Sequence, residues 1–113
     1  MKRLLTLLIL VLFAASLYSQ TMKDTTFYED GSKKEVLSFN EDSKLDGKCY
    51  TWASDGTLTG MASYKNGVKH GTWKIWRENG SLAYEMYYKN GQKAKTWRFY
   101  DENGNLIKER DFS

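Results

Sequence analysis

A spacing of 24 residues between Asp-Gly and Asn-Gly pairs constrains the fold of this chain more than any other feature. The spacing is clearest at Gly56, Gly80 and Gly104, each of which follows Asp or Asn and precedes a Leu by two residues. Similarity at a short, regular period is typical of repeat proteins, whose units pack mainly on their neighbours. The pattern therefore predicts that function belongs to an assembled array of units.

The glycines also indicate how each unit folds. Asp-Gly and Asn-Gly supply the positive φ angles of tight hairpin turns, and the segments between them are rich in Tyr, Trp, Phe, Thr and Leu. Structural repeat positions are predicted at Gly31, Gly56, Gly80, Gly104, Gly67, Gly91, Leu58, Leu82, Leu106, Trp73 and Trp97. The predicted fold is all-β: an elongated, twisted antiparallel meander built from 24-residue, two-strand repeats over residues 27–113, the first of them a weaker copy.

The alternation of side chains along a strand predicts which residues face one another. If Asn90-Gly91 is a two-residue turn, Lys89 pairs with Gln92, and Tyr84 then lies opposite Trp97. With four-residue loops at the other turns, one face carries a continuous apolar row: Leu58, Ile75, Leu82, Phe99 and Leu106. No segment is expected to form a covering helix, so this face must be hidden by twist and coiling, by a second copy of the chain, or by a partner.

Three aromatic residues recur on the opposite, mostly polar face of the predicted sheet. They are Trp52, Trp76 and Tyr100, one in each repeat. A large aromatic side chain on a polar face often marks contact with a partner, although such residues also stabilise hairpins. These three are the candidate partner-binding residues. Trp76 is expected to be exposed there, and Trp97 to be buried on the apolar face.

The first 20 residues have the pattern of a secretory signal peptide. Lys2 and Arg3 precede the apolar run of residues 4–13, and the small residues Ala14, Ala15 and Ser16 follow. The apolar run is too short to span a membrane. We expect cleavage between residues 16 and 21, an exported location (periplasmic, outer-surface or secreted), and no transmembrane segment in the mature chain.

Charge and composition narrow the classes of partner. The formal net charge of +3 includes Lys2 and Arg3, so the mature chain carries only about +1. Charges of both signs alternate along it without a block of one sign, which does not favour nucleic acid or an anionic membrane surface. A protein partner is expected, together with self-association through the apolar sheet face as one means of covering it.

Catalytic chemistry has little basis in this composition. His70 is the only histidine and Cys49 the only cysteine, so the chain lacks the usual zinc ligand set and an intrachain disulfide. Cys49 occupies the repeat position of Trp73 and Trp97, where a small apolar residue would pack. The acidic pairs lie beside turns without a calcium-loop pattern. We therefore predict no enzyme activity, no metal and no cofactor.

Two segments resemble the MORN repeat, in the bacterial variant of the YwqK-type toxin-antitoxin antitoxin family. They are GTWKIWRENG over residues 71–80 and KTWRFYDENG over residues 95–104, each preceded by a YKNG motif. The resemblance implies a twisted single-layer sheet that contacts proteins or, in some members, lipids, and it implies no catalytic residues. Lys95 stands at the repeat position that Gly47 and Gly71 occupy in other units, and Cys49 stands where the family pattern has Trp. Two units therefore depart from the family pattern.

These observations favour an exported, non-enzymatic β-repeat module that mediates protein–protein interaction through an aromatic sheet face or an open sheet edge. One alternative is an antitoxin or immunity protein that neutralises a cognate toxin. A further alternative is a glycan-binding accessory module, because regularly spaced aromatic rings can stack on sugars.

Overall fold

The computed structural model describes residues 21–113, and the predicted signal peptide lies outside the described residues. The strands are β1 (Met22–Phe27), β2 (Lys33–Phe39), β3 (Gly47–Trp52), β4 (Leu58–Lys65), β5 (Val68–Lys69), β6 (Gly71–Trp76), β7 (Leu82–Lys89), β8 (Gln92–Lys93), β9 (Thr96–Tyr100) and β10 (Leu106–Asp111). All of them join one open antiparallel sheet in the order β1-β2-β3-β4-β6-β7-β9-β10, with β5 paired to β4 and β8 paired to β7. The all-β meander is confirmed, and its first strand begins at Met22, before the predicted start at residue 27.

One row of paired residues crosses all eight strands of the main path without a break. It runs through Thr26, Glu35, Thr51, Gly60, Ile75, Tyr84, Phe99 and Lys108. Paired residues of antiparallel strands point to the same face, so this row fixes the two faces of the sheet. We call the face that carries this row, Trp73 and Trp97 the aromatic face. The opposite face, which carries Glu85 and Arg98, is the charged face.

Five-residue turns close one end of the sheet. Their outer residues form the pairs Tyr28–Ser32, Ala53–Thr57, Arg77–Ser81 and Asp101–Asn105. In the third of them the Gly80 N–H donates to the Arg77 carbonyl, and Gly80 has a φ of 89°. The three residues between each outer pair form a hairpin loop, which consists of a type I turn followed by a residue in the left-handed conformation. The positive φ predicted for the repeat glycines is therefore confirmed.

Acidic or amide side chains hold these turns in place. Asp30 accepts hydrogen bonds from the amide and hydroxyl groups of Ser32, and Asn79 accepts the same pair from Ser81. The bonds from Ser32 lower the pKa of Asp30, since they stabilise the carboxylate form. Asp and Asn are therefore interchangeable at this position because the turn requires only an oxygen acceptor.

Two-residue turns close the other end of the sheet in two of the repeats. Asn66 and Gly67 have φ angles of 54° and 83°, and Asn90 and Gly91 have 50° and 84°. Positive φ at both central residues is the signature of a type I′ turn. In the first copy, which has one extra residue, a longer turn at Asn40–Lys44 replaces the two-residue turn, with Ser43 in the left-handed conformation.

The predicted pairing beyond these turns is wrong by two residues. Lys89 pairs with Gln92 as expected, but Tyr84 pairs with Phe99 and not with Trp97. The shift arises because Ala94 and Lys95 leave the ladder between β8 and β9, with Lys95 at a φ of 59°. A shift of two residues leaves every side chain on the same face of the sheet. The predicted face of each side chain is therefore correct, although its predicted partner is not.

The predicted apolar row through the leucines is also wrong. Leu58, Leu82 and Leu106 pair with Trp52, Trp76 and Tyr100 beside the turns, and a register shift follows each pair. The three-residue loop, together with a bulge in the adjoining strand, displaces the leucines from Ile75 and Phe99. The observed central row passes through Ile75, Tyr84 and Phe99 instead.

The Asn-Gly turns connect successive repeats through the backbone. The Gly67 N–H donates to the Leu45 carbonyl at 2.7 Å, and the Gly91 N–H donates to the Lys69 carbonyl at 2.8 Å. The amide of Asn90 also donates to His70 Nδ1 at 3.1 Å, a contact that Asp46 provides for Asn66 in the preceding repeat. His70 is therefore a structural acceptor between two turns.

Replacing Gly91 by Val should destabilise the protein by about 1–3 kcal/mol, since a β-branched residue would have to adopt a positive φ. A Cβ at residue 91 would also lie 3.2 Å from Val68 Cγ1, whereas a Cβ at Gly80 would meet no atom within 4 Å. Gly80→Val is therefore the matched control, with the same backbone strain but no crowding. Denaturant unfolding should rank the parent above Gly80→Val and Gly80→Val above Gly91→Val, and a reversed order would contradict the described stacking of the turns.

Lys95 carries backbone strain where the equivalent positions carry Gly47 and Gly71. Its ammonium group lies 4.0 Å from the centre of the Tyr87 ring, so the side chain also makes a favourable contact. Because Lys95→Gly and Lys95→Ala both remove that contact, their difference isolates the backbone term. We expect the glycine variant to be more stable than the alanine variant by about 1–2 kcal/mol in denaturant unfolding. Equal stability would mean that residue 95 is not left-handed in solution.

Candidate interaction surface

Five aromatic rings form a continuous ladder on the aromatic face. Its members, in order, are Tyr64, Trp73, Tyr88, Trp97 and Phe112. Successive ring centres lie 4.9–5.3 Å apart with tilted or edge-to-face geometry. Such contacts contribute about 0.5–1.5 kcal/mol each beyond the area that they bury. The ladder therefore joins the repeats through side chains, as the turns join them through the backbone.

Hydrogen bonds and lysine side chains complete the ladder. The indole N–H groups of Trp73 and Trp97 donate to the carbonyls of Ser63 and Tyr87, each at 2.9 Å. Lys69 Nζ lies 4.9 Å from the centre of the Trp73 ring, which places a cation over the aromatic surface. Burial raises the pKa of Tyr64, the first ring of the ladder. The tryptophans are thus committed to packing, as predicted for Trp97, which is only 6% exposed.

The ladder ends at the β3–β4 hairpin, because smaller residues stand there. Cys49 occupies the position of Trp73, Gly60 that of Tyr84, and Ala62 that of Met86. These substitutions leave an open groove of about 280 Å³ in the aromatic face, bounded by Leu37, Leu45, Tyr64, Trp73 and Ile75 among others. Most of the groove wall is therefore apolar. We refer to it as the repeat-1 groove.

Exposed apolar side chains continue from this groove along the central row of the sheet. Ile75 is 42% exposed and Tyr84 is 41% exposed, and the Tyr84 ring meets Phe99 edge-on at 5.3 Å. An apolar patch beside an apolar concavity is the usual composition of a protein-binding surface. Within residues 21–113, the groove, Ile75 and Tyr84 together form a continuous apolar surface suited to contact with a partner.

The sequence-derived candidates Trp52, Trp76 and Tyr100 lie elsewhere. All three are half-buried, so the expected exposure of Trp76 is not observed. Each is paired with a leucine beside a five-residue turn, and the carbonyls of Trp52 and Tyr100 accept hydrogen bonds from Tyr28 and Arg77 of the preceding repeat. Their role as partner-binding residues stays a prediction, and the observed contacts are those of packing between repeats.

The residues that form the groove were not identified from the sequence, although the sequence contains a signal for them. Gly60 and Ala62 are small residues at positions where the next repeat has Tyr84 and Met86. Where one repeat has smaller side chains than its neighbours at equivalent positions, the aromatic face has space that larger side chains fill elsewhere. Comparing side-chain size at equivalent positions would therefore have located the groove.

Within residues 21–113, no group of three or more His, Cys, Asp or Glu side chains is placed to hold a metal ion. Cys49 is buried, with its sulfur 3.5 Å from the Ser38 amide nitrogen. No helix in the described residues is long and apolar enough to cross a membrane.

The repeat units match the family model of the MORN repeat variant. The match covers residues 45–66, 69–90 and 95–113, which together are more than half of the chain. The chain therefore belongs to the MORN repeat variant family. No curated protein and no solved structure gives a match. MORN repeats are often protein-interaction modules, which agrees with an array that exposes apolar residues on one face.

Replacing Trp97 by Ala should remove the most buried ring of the ladder and cost about 3–5 kcal/mol. Trp76→Ala is the matched control, because the same truncation at a half-buried site should cost clearly less. The free energy of unfolding measured in denaturant would compare the two. Equal losses would show that the ladder does not carry more of the stability than the aromatics beside the turns.

Proposed function

We propose that this protein is an exported, non-enzymatic repeat module that binds another protein through the repeat-1 groove and the adjacent Ile75 and Tyr84. The proposal rests mainly on one observation, the apolar groove produced by Cys49, Gly60 and Ala62. A single large apolar side chain from a partner would fit a groove of this size. Such an anchor in a desolvated pocket commonly supplies much of the affinity of a protein interface.

The chemistry of the groove favours a protein over a polysaccharide. Its walls are formed mainly by Leu, Ala, Tyr, Trp and Ile, and its charged lining residues are Glu35 and Lys74. A sugar would need several hydrogen-bonding groups directed towards its hydroxyls. The tryptophans of the ladder already pack against other rings and lysines, which leaves less of their surface for stacking on sugar rings.

The same lining supports a binding role without catalysis. Glu35 is the only carboxylate that borders the groove, and no imidazole borders it. General acid–base catalysis usually requires a positioned pair of proton-transferring groups. The buried Cys49 lies beside the Ser38 amide and without a neighbouring base among its hydrogen-bond partners. We therefore assign the groove to recognition.

Export is the part of the proposal that depends on residues 1–20. The pattern of Lys2 and Arg3, an apolar run and small residues motivates it. Export of this protein would mean that its partner lies in the cell envelope or outside the cell. The likeness to the antitoxin family stays a prediction, and an exported form of it would be an immunity protein whose partner is a toxin.

The test compares proteins captured from an envelope extract by the mature chain and by four variants. Ala62→Met introduces the residue of the next repeat and fills the groove, and Ala53→Met makes the same change in a turn outside it. Ile75→Lys places a charge beside the groove. Val68→Lys is its control, since Val68 is 44% exposed and lies on the opposite face in the β4–β5 hairpin.

We expect the parent and both controls to capture the same protein. The captured amount should fall at least about tenfold with Ala62→Met and with Ile75→Lys. Retention that is unchanged in the two groove variants would refute this surface. Trp76→Ala is added as a fifth variant, and loss of the captured protein with it alone would transfer the binding role to the turn aromatics. Capture of a toxin would identify an immunity protein. If no protein is captured, retention of the mature chain on immobilised envelope polysaccharide in a parallel experiment would favour the glycan-binding alternative.

A further inference from the structure

The two outermost strands of the sheet are copies of strands that pair with each other inside it. β1 precedes a five-residue turn, as β3, β6 and β9 do, and β10 follows such a turn, as β4 and β7 do. Inside the array, β7 pairs with β9 through Tyr84–Phe99 and Glu85–Arg98. The corresponding pairs between β10 of one copy and β1 of another are Lys108–Thr26 and Glu109–Thr25.

This register brings together the most exposed apolar residues of the two edges. Ile107 of β10 is 65% exposed and Phe27 of β1 is 58% exposed. Continuing the pairing from Lys108–Thr26 by one residue places Ile107 opposite Phe27. The equivalent of Ile107 in the preceding repeat is Ala83, which is buried inside the array. Side chains that stay in solvent at the ends of one copy would therefore gain cover at a junction between two copies.

The charges on β10 oppose pairing of this strand with itself. Lys108 and Arg110 lie on the aromatic face, and Glu109 and Asp111 lie on the charged face. An antiparallel pair of identical edges related by a two-fold axis keeps the same face of each copy on the same side. Every such register that overlaps these residues sets like charges against each other on at least one face and never pairs a cation with an anion, which is destabilising.

The charges on β1 have the complementary arrangement. Asp24 lies on the aromatic face, since it pairs with Leu37, and Lys23 lies on the charged face, since it pairs with Ser38. Extending this register by one and two residues beyond Glu109–Thr25 puts Asp24 opposite Arg110 and Lys23 opposite Asp111. Inside the array the ladder ends at Glu85–Arg98, whereas β1 is a regular strand from Met22 and permits the extension. All four side chains are exposed in the single copy. Opposite charges directly across a strand pair stabilise it.

We propose that the protein self-associates head to tail, with β10 of one copy adding to β1 of the next in the register of its internal repeats. The contact is heterologous, so it leaves a free β1 and a free β10 at the ends of each assembly and permits further growth. Because only two six-residue strands meet, the association is weak and depends on concentration. The repeat-1 groove lies away from both edges and stays available in the assembly.

Sedimentation of the mature chain over a wide concentration range tests the proposal. The parent should change from monomer to larger species as concentration rises. Asp24→Lys sets a cation opposite Arg110 and should weaken association about tenfold or more, and Arg110→Asp should do the same through two anions. The exposed turn residue Glu78, changed to Lys, is the control for Asp24→Lys and should associate as the parent does.

Mixing the two variants provides the decisive measurement. Each variant is repelled by its own copies, but Asp24→Lys offers an intact Arg110 edge and Arg110→Asp offers an intact Asp24 edge. An equimolar mixture should therefore regain association at concentrations where each variant alone is monomeric. Arg110 also lies over the Phe112 ring at 5.2 Å, so unfolding curves should accompany the Arg110→Asp sample. The Asp24→Lys variant avoids this contact and tests the edge by itself.

Disulfide trapping reports the register directly. Thr26→Cys mixed with Lys108→Cys should form a covalent dimer under mild oxidation, since the two residues face each other on the aromatic face. Thr26→Cys mixed with Glu109→Cys should form at least about tenfold less, because those side chains point to opposite faces. A parent that stays monomeric, an Asp24→Lys variant that associates like the parent, or a mixture without recovery would each overturn the proposal.

Discussion

A single-layer sheet can bury an aromatic ring only against the ring of the neighbouring repeat, and the rest of this structure depends on that constraint. No second layer covers the aromatic face in the described residues, so Trp73 and Trp97 pack between Tyr64, Tyr88 and Phe112. Each ring thereby belongs to two repeats at once. Stability in such an array comes from nearest-neighbour contacts, which makes every repeat dependent on the one beside it.

The same constraint explains why the turns are connected to each other. An Asn-Gly turn at the tip of an isolated hairpin would leave its outward N–H groups in solvent. Here Gly67 and Gly91 donate theirs to Leu45 and Lys69 of the preceding repeat. The left-handed residues Gly71 and Lys95 permit the chain to leave the ladder just before the next strand. The pairing register therefore shifts by two residues between β8 and β9, and this shift accompanies the hydrogen bonds that connect the turns.

The surface that we propose for binding lies where the array departs from its own pattern. Trp73, Tyr84 and Met86 fill the aromatic face, whereas Cys49, Gly60 and Ala62 at the equivalent positions leave a groove in it. Exposed Ile75 and Tyr84 border that groove on the central row. The two edge strands of the sheet also differ from each other. The charges of β10 are complementary to those of β1, whereas β10 paired with a second β10 would bring like charges together. The two proposals therefore concern distinct surfaces of a regular scaffold, the groove for a different protein and the edges for its own copies.

Local information in the sequence determined the turns, the strands and the face to which each side chain points. Gly80 and Gly91 adopt positive φ because only that conformation closes their turns, and alternation along a strand follows from backbone geometry. The partners of Tyr84 and Leu82 were decided by the tertiary structure. They depend on bulges whose position is set by contacts between repeats, and no single repeat contains those contacts. The groove likewise required the assembled sheet, because a small residue becomes a cavity only when its neighbours do not fill the space.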